Sequence, residues 1–136
     1  MTARERFATA RVARLATTGP DGPHIVPIVF ALAGDTLYHA VDHKPKRTIA
    51  LKRLANLRSD PRASVLADHY DEDWSQLWWA RADGTASILA PGHAEALALL
   101  AERYPPYRDR PPEGPVIAIR VTRWSTWDAR AVESSA

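Results

Sequence analysis

The chain has 136 residues, of which 46% are apolar and 25% are charged, so we expect one folded domain over 1–136 with a single core. The net charge of +2 is too small to indicate nucleic-acid binding from bulk electrostatics. The absence of cysteine excludes disulfides, thiolate metal sites and cysteine nucleophiles. At this size a single core leaves little apolar surface to spare, which favours burial of further surface by dimerisation.

The lengths of the apolar runs indicate in which compartment of the cell the protein is expected. The N-terminal residues Met1 to Arg6 lack the apolar core of a signal peptide. No run approaches the roughly 20 apolar residues of a membrane span. We therefore expect a cytoplasmic protein without a membrane partner.

The first part of the chain predicts a short helix followed by an antiparallel meander. Thr2 with Glu5 three residues later is a capping box, which predicts a helix over 2–10. Alternating and β-branched runs separated by glycine-containing turns predict strands over 12–18, 24–32 and 36–41. Pro27 falls inside the second of these strands. Since proline cannot donate to a ladder, we expect that strand at an edge, a bulge or a rim.

The remainder predicts two longer helices and three more strands. Leucines at three-residue spacing predict an amphipathic helix over 46–58, and a second helix is expected over 91–103. The segment 104–115 contains five prolines and is expected to be irregular. Strands are predicted over 62–68, 76–89 and 116–127, with Gly84 as a bulge. The fold class is therefore mainly β (α+β): six antiparallel strands closed into a small barrel, with two or three flanking helices.

A basic stretch, His43-Lys44-Pro45-Lys46-Arg47, lies between the third strand and the following helix. Together with the Thr48 hydroxyl it places cations where a helix N-terminus has free N–H groups and favours an anion. Cations are otherwise unfavourable at that end of a helix, so a bound phosphate would explain their placement. The alternative is a solvated basic face.

Other patterns in the sequence indicate no second kind of site. The histidines show no metal-ligand spacing, and neither a nucleophile elbow nor a dinucleotide-binding or P-loop motif occurs. We therefore expect no metal site and single out no catalytic residue. The five tryptophans are many for this length. Such clusters are typical of cores, interfaces or sites for flat ligands.

The order and spacing of several motifs resemble those of the pyridoxamine 5'-phosphate oxidase-like superfamily. The motifs are Leu15-Ala16-Thr17, Asp21-Gly22-Pro23-His24, Val26 to Phe30, Lys44 to Arg47, and Leu54 to Leu66. Trp74, the segment from Trp78 to Gly84 and the closing Arg123-Trp124-Ser125-Thr126-Trp127 are most similar to the actinobacterial branch that uses coenzyme F-420. The resemblance covers about 12–127.

This resemblance implies a homodimeric, FMN-binding-like split β-barrel with its cofactor sites at the subunit interface. Lys46 and Arg47 would bind the cofactor phosphate, helped by Lys52 or Arg53. The remaining cofactor-binding residues that the resemblance implies are Pro27, Ile28 and Val29 along the cofactor ring, with Trp74 and Trp78 near it.

The activity that the resemblance implies is oxidoreduction with F-420 as the cofactor. Its reduced form would pass hydride to a conjugated small molecule such as an enone, a quinone or a tetrapyrrole, with solvent, His69 or Tyr70 as the proton source. One alternative is an FMN-dependent reductase or oxidase. Another is a barrel that binds F-420, FMN or haem without turnover. The polyglutamate tail of F-420 favours an open basic groove, which Arg47, Lys52, Arg53 and Arg58 would line.

Overall fold

The computed structural model describes residues 1–41 and 47–130, the side chains of 47–51 excepted. The helices are α1 (Ala3–Thr9), α2 (Arg47–Ser59), α3 (Ala94–Arg103) and α4 (Pro105–Asp109). The strands are β1 (Ala13–Gly19), β2 (Gly22–Ile28), β3 (Ala31–Ala33), β4 (Thr36–Ala40), β5 (Arg62–His69), β6 (Trp78–Leu89) and β7 (Val116–Asp128). A 3₁₀ helix, Trp74–Gln76, precedes β6.

All these strands pair antiparallel in one sheet of order β2-β1-β5-β6-β7-β4-β3. The two edge strands are consecutive in the chain, and only Val29 and Phe30 separate them. Three Cα-to-Cα steps span at most about 11 Å, so the sheet has to curl until its two edges meet. The result is a barrel that is split between β2 and β3. The predicted split β-barrel is therefore confirmed, and we call the Val29–Phe30 segment the split.

The described residues form seven strands rather than the predicted six. The predicted strand over 24–32 is in fact β2 and β3, which lie on opposite edges because the chain leaves the ladder at the split. Pro27 lies in an edge strand, as expected of a residue that cannot donate to a ladder. The predicted bulge is also present, as a register shift between Asp83 and Gly84. A Cβ atom at Gly84 would overlap the carbonyl oxygen of Arg120, so glycine is required there.

The expectation of an irregular segment over 104–115 is wrong in part, because that segment contains α4. Pro105 and Pro106 occupy its first positions. Proline is well suited to the first turn of a helix, where its fixed φ is helical and its missing N–H would have no partner. Proline content therefore marks the start of a helix here.

The main core fills the barrel and is closed by α1. The capping box of Thr2 and Glu5 starts this helix as predicted. Phe7 is fully buried, with its ring 5.8 Å from that of Phe30 and 5.6 Å from that of Trp124. The other large side chains that are almost fully buried are Leu15, Leu37, Val65, Val116, Ile117, Ile119 and Leu100. Since Phe30 is part of the split, α1 supports the split from inside the barrel.

Two helices cover other parts of the sheet. Leu100 of α3 and the following Tyr104 join a smaller apolar cluster with Ala31 and Tyr38 of β3 and β4. Leu54 and Leu57 of α2 are buried in the main core.

No helix in the described part of the chain is long and apolar enough to cross a membrane.

Helix α2 is pinned to β1 by a buried polar contact. Asn56 is buried, and its Nδ2 donates to the Thr17 hydroxyl at 3.1 Å. At the end of β1 a Cβ atom on Gly19 would overlap the Asn56 side chain, so the strand and the helix are in close contact. This contact fixes which side chains of α2 reach the split.

Candidate cofactor site at the split of the barrel

The backbone groups of the split make their hydrogen bonds to side chains and not to a neighbouring strand. The Phe30 N–H donates to the Tyr104 hydroxyl at 3.2 Å, and the Phe30 carbonyl accepts from Arg103 Nη1 at 3.1 Å. The Val29 carbonyl accepts from His39 Nδ1 at 3.1 Å. Because buried backbone groups need partners, these three side chains keep the break in the sheet in one conformation.

His39 joins the split to helix α2. Its side chain is only 6% exposed, and Arg53 Nη1 lies 2.6 Å from its Nε2. A carbonyl oxygen can only accept, so Nδ1 carries the proton that it donates to Val29. Nε2 is then the unprotonated nitrogen and accepts the hydrogen bond from Arg53. The contacts on both sides therefore select one neutral tautomer of His39.

Arg53 brings a positive charge to this position. Burial lowers the pKa of the Arg53 guanidinium, although an arginine keeps its charge in proteins. Its Nε is buried, and no partner for that atom exists among the described residues. Within the same residues, no carboxylate forms an ion pair with Arg53. A buried donor on an unneutralised cation is costly, and a bound anion would satisfy both needs.

The neighbouring basic residues of α2 point elsewhere. Lys52 is exposed, and its Nζ lies 3.7 Å from Asp21 in the turn between β1 and β2. Arg58 is exposed near the end of the helix. Of the two residues that sequence reasoning left open as a phosphate ligand, Arg53 is the one that reaches the split.

Most of the basic stretch before α2 lies outside the described residues. Lys46 lies outside the described residues, as does Lys44. Arg47 is the first residue of α2, but its side chain lies outside the described part of the chain. The first turn of the helix contains no acidic residue. The predicted phosphate contacts of Lys46 and Arg47 stay a prediction.

The three predicted ring-contacting residues of β2 and the split face in different directions. Pro27 is exposed on the outside of the barrel, and Val29 is half-buried at the split. Ile28 is 3% exposed and belongs to the main core, so only its backbone could face a ligand.

The outward side chains of β2, β1, β5 and β6 form one surface, which we call the outer face. The strand register places Pro27 opposite Arg14, Arg14 opposite Leu66, and Leu66 opposite Arg81. All four side chains in this row are exposed. Neighbouring strands are about 4.8 Å apart, so Leu66 lies about 10 Å from Pro27.

A cavity of about 480 Å³ opens on the outer face next to this row. Its lining includes Leu66, His69, Tyr70, Trp78, Trp79 and Trp127, and we call it the aromatic groove. Trp78 is half-buried between the His69 ring, stacked at 6.1 Å, and the Arg6 guanidinium, 4.6 Å from its ring centre. Trp74 is largely exposed, and its Nε1 donates to the Tyr70 hydroxyl at 3.5 Å. The structure thus places Trp78 in the lining of this groove and Trp74 beside it, in contact with Tyr70.

A second cavity of about 600 Å³ lies further along the outer face. Its polar lining includes Thr18, Arg62, Ser64, Asp83, Thr85 and Thr122. The Ser64 hydroxyl donates to Asp83 at 2.5 Å, and Arg81 Nε donates to the same carboxylate at 2.9 Å. Burial disfavours the charge of Asp83, yet these hydrogen bonds hold the pKa of its carboxyl below the usual value. The described residues contain no cluster of three acids or histidines that could hold a metal ion.

Sequence reasoning missed His39, Trp79 and Trp127 as parts of the site. In the sequence His39 is one residue of a predicted strand, and only its contacts with Val29 and Arg53 show what it does there. Trp78 and Trp79 are adjacent in a strand, so their side chains point to opposite faces. The alternation of Ala80 and Ala82 with the charged Arg81 and Asp83 is the sequence signal that places Trp79 outside.

Solved structures with the same fold come from several bacteria. A conserved hypothetical protein from Mycobacterium tuberculosis has a TM-score of 0.72 and 26% identity, covering 98% of this chain and 88% of that chain. A FAD-binding protein from Mesorhizobium loti has a TM-score of 0.69 and 20% identity, with 91% and 90% covered. A haem storage protein from Vibrio cholerae has a TM-score of 0.68 and 15% identity, with 92% and 90% covered.

No curated protein matches the sequence. The sequence profile of the family described as pyridoxamine 5'-phosphate oxidase, in contrast, matches residues 2–128, nearly the whole chain. This match agrees with the order of motifs, with the split barrel and with the cationic position beside the split. The chain therefore belongs to the pyridoxamine 5'-phosphate oxidase family.

Proposed function

We propose that this protein is a cytoplasmic oxidoreductase that uses coenzyme F-420 to reduce a conjugated small molecule such as an enone, a quinone or a tetrapyrrole. Family membership supports a flavin-type cofactor. The observation that carries the site assignment is the desolvated Arg53 guanidinium at the split, whose Nε has no partner among the described residues. A phosphate group supplies the acceptor oxygens and the negative charge that this position needs.

In this proposal Arg53 binds the cofactor phosphate together with Arg47, the first residue of the same helix, and Lys46, which directly precedes it in sequence. The N-terminal end of α2 adds its free N–H groups. Pro27, the Ile28 backbone and Val29 form the surface for the ring. When bound, the reduced cofactor supplies a hydride to an electron-poor carbon.

The aromatic groove is the proposed position of the acceptor molecule. Trp79 and Trp127 offer flat apolar surfaces that orient a conjugated ring system and exclude water from it. His69 and Tyr70 line the same groove, so either can deliver a proton there, as can solvent. The protein thus binds and orients the acceptor and the cofactor, and the only chemical role of its side chains is to supply a proton.

F-420 is preferred over FMN because of its polyglutamate tail. Exposed Lys52 and Arg58 on α2 extend the positive charge along the helix away from Arg53. A polyanionic tail would gain from such charges, whereas FMN has no tail to place there. An FMN-dependent reductase is the second candidate, and its support is the FAD-binding structural neighbour.

The assay that tests the function supplies purified protein with reduced F-420 or reduced FMN and a set of quinones and enones. We expect oxidation of F-420 that depends on both protein and acceptor, and little turnover with FMN. Turnover with FMN alone would contradict the choice of cofactor. Tight F-420 binding without turnover of any acceptor would instead support a binding protein.

A homodimer formed through the outer face is part of the same proposal. Ile25, Leu66, Trp79 and Trp127 are all exposed on that face. Apolar groups gathered on one surface are typical of protein interaction sites. A second copy that covers this face would also enclose the aromatic groove, so that the acceptor and the cofactor ring beside Pro27 come to lie between subunits.

We expect the double variant Trp79→Asp with Trp127→Asp to be monomeric, because a carboxylate cannot be buried at a copy-to-copy interface without a partner. Sedimentation velocity on wild type and variant measures the change. The control is Ala94→Asp with Ala98→Asp, which adds the same two charges at exposed positions of α3 and should leave the dimer intact. A wild-type monomer, or a variant that still dimerises, would contradict the assignment of this face.

A further inference from the structure

We propose that His39 is a positioning residue of the cofactor site, which holds the Arg53 guanidinium in the direction that receives a phosphate. This inference rests on the proposed function of the split as a cofactor site. The backbone of His39 is fixed in the ladder between β4 and β7, opposite Ile117. Its buried ring has one nitrogen on the split and the other on Arg53.

The hydrogen bond to His39 divides the Arg53 guanidinium into a part that is used and a part that is available to an anion. Nη1 donates to His39 Nε2, at 2.6 Å. Nε has no partner among the described residues. In a guanidinium group, Nε and Nη2 form the edge that binds a carboxylate or phosphate through two parallel hydrogen bonds. His39 therefore takes the one nitrogen that a bidentate anion does not need.

A histidine in this tautomer offers both a donor for the Val29 carbonyl and an acceptor for Arg53 Nη1, which an aliphatic side chain or an imidazolium would not. An aliphatic residue would leave the Val29 carbonyl and Arg53 Nη1 without their partners. An imidazolium would present a second N–H toward a guanidinium that can only donate. Because the Val29 carbonyl fixes the proton on Nδ1, Nε2 is unprotonated and accepts from Arg53. The His39 ring thus fixes the position of the Arg53 guanidinium relative to the backbone of the split.

Arg53 also needs such a partner for an entropic reason. A free arginine side chain samples many rotamers, and ordering it on ligand binding lowers affinity. Held by His39, the guanidinium is ordered before the anion arrives. The expected benefit is about fivefold to tenfold in cofactor affinity, the usual gain from one pre-ordered long side chain.

Two substitutions separate positioning from a purely structural role. His39→Asn keeps a donor near Nδ1 for the Val29 carbonyl but has no acceptor that reaches Arg53. His39→Gln places an amide oxygen near the position of Nε2 and should restore that acceptor. We expect the Asn variant to bind FMN or F-420 about fivefold to tenfold more weakly, and the Gln variant to recover most of the loss.

Binding of phosphate-free ligands distinguishes a positioning role of His39 from a purely structural one. Riboflavin and the phosphate-free deazaflavin core should bind wild type and His39→Asn equally well, since they do not use Arg53. Equal weakening of phosphate-bearing and phosphate-free ligands would mean that His39 only supports the fold, and would overturn the proposal.

A measurement without any ligand separates this inference from the proposed function. ¹⁵N relaxation of the Arg53 Nε–H group should show an ordered side chain in wild type and His39→Gln, and a mobile one in His39→Asn. If wild type binds neither cofactor but shows this pattern, the proposed function fails and the positioning role stands. A mobile Arg53 in wild type, or an ordered one in His39→Asn, would refute the positioning role whatever the cofactor.

Discussion

Replacing Arg53 with alanine is expected to weaken binding of the phosphate-bearing cofactor by about a hundredfold. Its guanidinium offers two charge-assisted hydrogen bonds, and each is worth about 1.5–3 kcal/mol. A loss of about 3 kcal/mol corresponds to roughly two factors of ten in the dissociation constant. Fluorescence titration of wild type and variant with F-420 and with FMN measures the change.

The stability of the cofactor-free Arg53→Ala protein should hardly change. The variant loses the bond to His39 but also removes a desolvated charge whose Nε has no partner in the described structure. Arg58→Ala is the matched control, because it removes the same charge from an exposed position on the same helix. Its affinity for FMN, which has no tail for Arg58 to contact, should stay near that of wild type. Equal losses in both variants would indicate long-range attraction and would contradict a direct contact at Arg53.

Phe7→Ala is expected to lower the free energy of unfolding by about 3–5 kcal/mol, the usual cost of removing a buried phenylalanine side chain. The Phe7 ring is fully buried between Phe30 and Trp124, so its removal leaves a cavity below the split. A domain of this kind is stable by only about 5–15 kcal/mol, which makes this a large loss. Urea unfolding of the cofactor-free protein measures it.

The control for this prediction is Phe7→Leu, which keeps most of the apolar volume and should cost less than about 1.5 kcal/mol. We also expect added cofactor to recover part of the stability of Phe7→Ala, since a ligand that binds only the folded state stabilises it. If the alanine variant were no less stable than the leucine variant, α1 would not be part of the core that supports the split.

Elements with local determinants could be predicted from the sequence. The capping box of Thr2 and Glu5 needs only four residues to specify a helix start, and Pro27 carries its own restriction to an edge strand. The division of the predicted strand over 24–32 could not be predicted in this way. A β-branched run has the same local preference whether it pairs in one ladder or in two, and tertiary pairing decides between them. The start of α4 was missed because proline was interpreted only as a helix breaker.

The candidate site depends more strongly on tertiary structure. The charge pattern of the sequence supports the prediction of a phosphate site near the start of α2. Which of Lys52 and Arg53 turns to the split does not, because it depends on how Asn56 and Leu57 seat the helix on the sheet. The contact between His39 and Arg53 joins a strand and a helix, and their sequence spacing carries no signal for it. The outward position of Trp79 follows from strand alternation once the strand is known.

A crystal structure of the protein with bound F-420, or with FMN if that binds more tightly, tests the central claim most directly. We predict a phosphate oxygen within about 3 Å of Arg53 Nε, with the bond from Arg53 Nη1 to His39 Nε2 retained. A phosphate group held elsewhere, with the Arg53 guanidinium facing no atom of the cofactor, would contradict the assignment of the split as the cofactor site.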